Sequence, residues 1–587
     1  MGCEDRNVKA ATRNKFWRHS NLFMLLLRTM KKYALILLQF HALTCILAQS
    51  PISGPEALNP LNSWHLSDLF SGTYPGIGYK KATALVSGKT ATPVIVAVID
   101  SGTETFHEDL KDALWVNTDE IPGNQIDDDK NGYIDDVHGW SFIGGKDGDV
   151  SVDNLEFIRI YREYKQRFGD VIDAGSIPKK EKPEFEKFLR LQKEFERRTS
   201  EASENLAQYS MVASFYESGK QTISKILGKE NYTLAEVQTI VPNDEEEAAI
   251  INFIGMVMEQ NLEGEILEGI RQFEALANFQ LNPDFDPRHL VGDNYADINE
   301  RYYGNNHIDG PEGEHGTHVA GIIAATHNQI GMDGICPHAK IMVIRCVPNG
   351  DERDKDVANA IRYAADNGAR IINMSFGKSW SPQKNAVDEA VRYAESKNVL
   401  LVHAAGNDGK NIDEQPNFPK DQFDDGTYCS TWLEVGASNY DTDNIAADFS
   451  NFGKKGVDLF APGVDIYSSI PNNGYKLNSG TSMASPVASG CAAMLLAYYP
   501  QLSAKEVKEI LMKTVTPYKN KKIEKYKMRN GMGRFFARIF ISKKKSEAAE
   551  MPSRLYKKIN VSFASYSVTG GVINLEAAMK LAASYKK

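Results

Sequence analysis

Cysteine is scarce in this 587-residue chain, with six in all, at positions 3, 45, 336, 346, 429 and 491. Their spacing matches no metal-binding pattern, which argues against a thiolate-held metal. Cys336, Cys346 and Cys491 lie in apolar segments and read as buried free thiols, with a disulfide as the alternative. Excess positive charge is missing too: 67 Lys and Arg face 77 Asp and Glu, a net of −10. That balance argues against nucleic acid as a general partner. The apolar stretch near the N-terminus, from Tyr33 on and interrupted by Gln39 and His41, is too short for a membrane span. What remains is an ordinary globular composition, 42% hydrophobic and 25% charged, with material for one large core and additions to it.

Three segments carry chemistry. Ser482 stands in Gly480-Thr481-Ser482-Met483-Ala484-Ser485-Pro486, just before the apolar run Val487 to Leu496. A small-residue turn feeding a helix exposes a hydroxyl beside free N–H groups and the positive end of the dipole, a setting for an oxyanion. Val94 to Ile99 is six apolar, mostly β-branched residues, a strand buried on both faces, with Asp100 at its carboxyl end. His315 opens the small-residue run His315-Gly316-Thr317-His318-Val319-Ala320-Gly321. At a helix N-terminus an imidazole is expected to stay neutral, as a general base should. His318 lacks a third ligand and the His-Glu-x-x-His pattern, so it reads as a packed histidine.

With these segments in the order Asp, His, Ser, the chain resembles the subtilisin-like serine peptidases. The resemblance implies Asp100 as orienting acid, His315 as base and Ser482 as nucleophile. It implies an oxyanion-hole amide at Asn407, in His403-Ala404-Ala405-Gly406-Asn407-Asp408-Gly409. The stretch Asn373-Met374-Ser375-Phe376-Gly377 is similar to the strand that pairs with bound peptide. Ser375, Phe376, Gly377, Ala404, Ala405 and Gly406 are therefore expected to line the substrate cleft. Gly334-Ile335-Cys336-Pro337 and the closing segment Gly570 to Ala578 also fit. The likeness covers roughly residues 60–145, 290–515 and 560–587.

The remainder departs from that core. Residues 1–29 read as a non-native extension, and 30–48 as a secretory signal peptide: Met30-Lys31-Lys32, an apolar stretch, and a small residue at Ala48. No separate propeptide is expected between Ala48 and the first part of the domain, residues 49–149. Asp127-Asp128-Asp129-Lys130-Asn131-Gly132-Tyr133-Ile134-Asp135-Asp136 opens like a calcium loop, with Asp127, Asp129, Asn131, the Tyr133 carbonyl and Asp135 as ligands. His138 stands at the twelfth position in place of the usual glutamate, so another carboxylate, Asp136, must substitute. A solvated acidic turn is the alternative.

Residues 150–290 read as a helical insertion. Lys182 to Arg198 is a charged helix, Thr233-Leu234-Ala235-Glu236 a capping box, and Ile250, Phe253, Ile254, Val257 and Met258 one apolar helix face. That face must pack on another insert helix or on the main domain, which resumes over 291–516. A second insertion, 517–560, precedes the closing segment 561–587. Within it, residues 519–545 hold eleven Lys and Arg against one Glu. This stretch reads as a solvated loop. Its alternatives are an anionic or membrane surface, or the acidic stretch 241–300, which carries fourteen Asp and Glu against two Arg.

The expected fold is an α/β three-layer sandwich, a mainly parallel sheet between helices, with Val94–Ile99, Ile341–Arg345, Arg370–Phe376 and Leu400–Ala404 as strands. Helices are predicted from His315, from about Asp354, from Pro382 and from Ser482. The resemblance implies endoproteolysis of protein or peptide substrates, secreted or in the periplasm or cell envelope. It implies no cofactor for catalysis, and calcium in a structural role only. A silent scaffold of the same fold and a transpeptidase are the rival readings, and the oligomeric state is open.

Overall fold

The computed structural model describes residues 61–68, 74–171, 174–260, 262–528 and 556–585. The leader and most of the basic stretch 519–545 lie outside them. Thirteen strands are labelled in chain order: β1 (Val94–Asp100), β2 (Gly139–Ser141), β3 (Ala339–Arg345), β4 (Ile371–Met374), β5 (Leu400–Ala404), β6 (Trp432–Ser438), β7 (Leu459–Pro462), β8 (Ile466–Ile470), β9 (Gly474–Asn478), β10 (Thr516–Pro517), β11 (Lys522–Met528), β12 (Tyr556–Ser562) and β13 (Gly571–Val572). Nine form one sheet in the order β10-β13-β7-β6-β5-β4-β1-β3-β2. Every neighbouring pair is parallel except β10 with β13.

The helices, again in chain order, are α1 (Tyr79–Ala84), α2 (Glu156–Phe168), α3 (Lys182–Leu227), α4 (Leu234–Gln238), α5 (Glu245–Glu259), α6 (Glu263–Ala275), α7 (Glu314–Ala324), α8 (Asp354–Asp366), α9 (Lys384–Ser396), α10 (Thr481–Tyr498), α11 (Ala504–Lys513) and α12 (Leu575–Ala582). Residues of β1 alternate between two cores, as the two-residue strand period requires. Val94, Val96 and Val98 join one core with residues of α7, α10, α11 and α12. Ala97 and Ile99 join the other with residues of α8 and α9. All but Val94 are fully buried, and each such Val or Ile contributes about 1.5–3 kcal/mol. The result is the expected three-layer sandwich.

Helices of the insertion run from Glu156 to Ala275 and form two small cores of their own. Phe157, Tyr161, Phe168, Phe185 and Phe188 make the first, where α2 meets the start of α3. Tyr216, Ile223, Val237, Ile254 and Val257 make the second. The apolar face of α5 therefore packs on α3 and α4, within the insertion. Thr233 and Glu236 cap α4 reciprocally, as a capping box does. What is described of the second insertion is an antiparallel arm, β11 against β12, seated by the buried Ile523.

Candidate active site

The predicted site residues gather at the carboxyl ends of the parallel strands, where open α/β sheets place their sites. Asp100 ends β1, Ser375 follows β4, and Asn407 follows β5. Asp100 is buried, and its Oδ1 accepts from His315 Nδ1 at 2.7 Å and from the Ser101 N–H at 2.7 Å. His315 lies in the first turn of α7, its side chain 40% exposed. Two glycines bring these elements together. Gly102 holds a positive φ of 119°, favoured by glycine alone. A Cβ on Gly316 would fall 2.1 Å from the Gly102 carbonyl, so α7 reaches the end of β1 only because position 316 has no side chain.

The electrostatics correct one expectation. Desolvation lowers the His315 pKa, as the helix dipole would, but the Asp100 carboxylate more than offsets it and the net shift is upward. An adjacent full charge outweighs a partial one. His318 is buried and packed, its Nε2 against the Lys476 carbonyl at 3.1 Å, and burial pushes its pKa down to about 3.

Around Ser482 the sequence acts through Pro486, which sits inside α10 and has no N–H to give. The carbonyl four residues back, that of Ser482, loses its helical partner. The Ser375 hydroxyl supplies a replacement, donating to the Ser482 carbonyl at 2.9 Å. In return the Ser482 hydroxyl donates to the Ser375 carbonyl at 2.9 Å, so its proton is directed there rather than to His315. Asn373 sits behind this exchange: its Nδ2 donates to Ser375 Oγ, and its Oδ1 accepts from Ser485 and Ser489. This buried network locks α10 to β4, and neither Asn373 nor Pro486 was among the predicted site residues.

Asn407 meets the same helix end. Its Oδ1 accepts from the Thr481 N–H at 2.8 Å and from the Thr481 hydroxyl at 2.9 Å. The Gly406 N–H in turn donates to that hydroxyl at 3.0 Å. With the carbonyl oxygen thus held, Nδ2 is fixed on the other side. A Cβ placed on Gly480 would lie 3.3 Å from Asn407 Nδ2 and 3.6 Å from the Ser482 N–H nitrogen. Two donors therefore border one small space beside Ser482, and position 480 leaves it open.

The proposed cleft residues divide. Ala404 and Ala405 are buried, and their carbonyls accept from Asn417 and Asn451. Phe376 packs edge-on to the His403 ring, and Gly377 is exposed. Neither backbone N–H nor C=O of Phe376 and Gly377 has a hydrogen-bond partner among the described residues.

The Subtilase family model matches residues 91–533, more than half of the chain. The chain belongs to the subtilase family. It is similar to a Cell wall-associated protease of Bacillus subtilis (strain 168), 40% identical over 227 residues, 38% of this chain and 24% of that protein. A Thermophilic serine proteinase of Bacillus sp. (strain AK1) is 40% identical over 217 residues, 36% of this chain and 48% of that protein. Subtilisin DY of Bacillus licheniformis is 36% identical over 203 residues, 34% and 70% respectively. The chain thus spans less than half the length of the first two relatives.

In this subtilase the acidic loop is more selective than its spacing. One oxygen each of Glu120, Asp127 and Asp129 lies within 4.8 Å of the others, and Glu120 was not in the predicted set. Asp135 turns away, its carboxylate accepting from the N–H groups of Gly123, Asn124 and Gln125. Asn131 Oδ1 accepts from the Tyr133 N–H, and its Nδ2 donates to Asp129 and Asp136. The Tyr133 ring is buried against Trp140 and Tyr363. No helix among the described residues is long and apolar enough to cross a membrane.

Proposed function

We propose that this subtilase is a serine endopeptidase that hydrolyses protein or peptide substrates through an acyl-enzyme, in a secreted or cell-envelope setting. The observation that carries this reading is the Asp100–His315 hydrogen bond, with Ser482, on the helix that packs against α7, bordered by two donors. Ser482 rotates its hydroxyl from the Ser375 carbonyl to His315 Nε2, which takes the proton as Oγ attacks the peptide carbonyl. Asp100 holds the ring through Nδ1 and stabilises the imidazolium. Asn407 Nδ2 and the Ser482 N–H receive the oxyanion. His315 then protonates the leaving amine, and water reverses the sequence. An extended substrate lies along Phe376 and Gly377, whose open backbone groups can pair with it.

A fluorophosphonate probe tests the reading. The wild-type chain should be labelled covalently and Ser482→Ala should not. Equal labelling of both, or none of the wild type, would reject it and leave a scaffold of the same fold. Transpeptidation would instead announce itself as ligated products when peptide amines are added.

The acidic loop is proposed to hold calcium in a structural role. Glu120, Asp127 and Asp129 would be its carboxylate ligands, their mutual repulsion relieved by the cation. Asp135 stands outside this cluster and is not assigned to it.

A further inference from the structure

The helical insertion enters the fold alongside the open edge at Phe376 and Gly377. Residues 151–154 run beside 349–351: the Asn349 N–H donates to the Ser151 carbonyl at 2.8 Å, and the Asp153 N–H to the Asn349 carbonyl at 3.2 Å. A Cβ on Gly350 would strike the Asp153 carbonyl at 2.2 Å. From the first turns of α2, Arg159 donates to both Glu156 carboxylate oxygens and to the carbonyls of Asp351 and Glu352. Helix α2 is thereby bolted to the loop that precedes α8.

Glu156 then reaches further. Its Oε2 accepts from Lys378 Nζ at 2.7 Å. Lys378 is buried, and its other partners are the Glu352 carbonyl at 2.7 Å and Asp354 Oδ1 at 2.8 Å. Burial opposes ionisation of Glu156, but Lys378 and Arg159 more than offset it and hold the carboxyl down to about 2. Burial pushes the Glu352 carboxyl up.

Lys378 is the next residue after Gly377. Its backbone is tied on the far side to Phe418, with N–H to carbonyl distances of 3.0 and 2.9 Å in the two directions. The open edge thus has two anchors, Ser375 at the nucleophile and Lys378 at the insertion. The insertion also approaches the histidine side. Burial raises the Glu312 carboxyl and the charge of Glu268, on α6, adds to the rise.

We propose that Glu156 is a positioning residue which, through Lys378, fixes the Phe376–Gly377 edge for an extended substrate, so that the insertion governs how well residues beyond the scissile one are read. This rests on the peptidase reading above. It makes the insertion part of the enzyme's specificity rather than an appendage.

The test uses the full chain, two substrates and Glu156→Gln. One substrate is a blocked single-residue ester, the other a blocked tetrapeptide anilide with the same residue at the cleaved bond. Rates are expressed per active site titrated with the fluorophosphonate. In Glu156→Gln, kcat/KM for the tetrapeptide should fall about tenfold, as losing one charge-assisted hydrogen bond predicts. The loss should lie in KM, with the ester unchanged. Equal losses on both substrates, or no loss on either, would overturn the proposal. The double variant Glu156→Met/Lys378→Met removes both ends of the contact, and rates per titrated active site discount any fraction that fails to fold. It should show the same length-dependent loss, and parental kinetics there would overturn the proposal as well. Ile254→Ala loosens the second insert core, away from Lys378, and should leave the ratio of the two substrates unmoved. A shift in that ratio would assign the effect to general loosening. Absence of labelling in the parent chain would remove the peptidase reading, and the positioning role with it.

Discussion

Asn407 and Thr481 illustrate how one side chain can serve two ends. The Asn407 carbonyl oxygen caps the first N–H of α10, and that same bond aims the amide nitrogen at the space beside Ser482. Asn407→Leu should therefore lower kcat by about 10²–10³ with little change in KM, a magnitude established on a relative in this family rather than derived from this site. For His315 the sign follows from its partner. Because Asp100 raises its pKa, the acid limb of kcat/KM should lie above the ordinary imidazole value of about 6.5. Asp100→Asn should move that limb to lower pH and reduce kcat, which a pH–rate profile reads directly; an unmoved limb would dismiss the assignment. The pairing also stabilises the fold below about pH 6.5, and that contribution fades as pH rises through the raised value. The motif residues themselves were legible because each sits in a run of small residues beside an apolar segment. Their hydrogen bonds were not. The exchange between Ser375 and Ser482 joins positions 107 residues apart, and only Pro486 marks in the sequence that a carbonyl would need a new partner.

Elements were legible in proportion to their length. Strand β1 declares itself by six apolar residues in a row, whereas β2, β10 and β13 have two or three residues each and carry no period to read. The apolar face of α5 was visible, but its partner depends on how the chain after α3 folds back along that helix. The acidic loop shows the limit of spacing rules most plainly. Glu120 lies seven positions before the motif, yet its carboxylate joins those of Asp127 and Asp129, while Asp135 stands outside that cluster. If the loop holds calcium, chelation should lower the thermal midpoint. Calcium in hundredfold excess over its Kd should restore about 2.7 kcal/mol. Glu120→Gln should abolish that response without preventing fluorophosphonate labelling; a midpoint indifferent to chelator would reject the site.

For the molecule as a whole, the four cysteines in the described residues are buried and unpaired. Burial raises the pKa of each, that of Cys336 to about 12 and of Cys429 to about 11, so none is poised to react. Native protein should leave these thiols unmodified by a thiol reagent until it unfolds. Its melting temperature should be the same with and without reductant; a drop in reductant would reveal a disulfide. The contact between Asp100 and His315 spans 215 residues, with the whole helical insertion threaded between them. During synthesis, therefore, the ribosome must deliver the insertion before His315 can meet Asp100, and α10 later still. On the proposed peptidase reading, a nascent or half-folded copy lacks the assembled Asp100–His315 pair with which to digest its neighbours, so the order of the chain itself would delay the onset of activity until the fold closes.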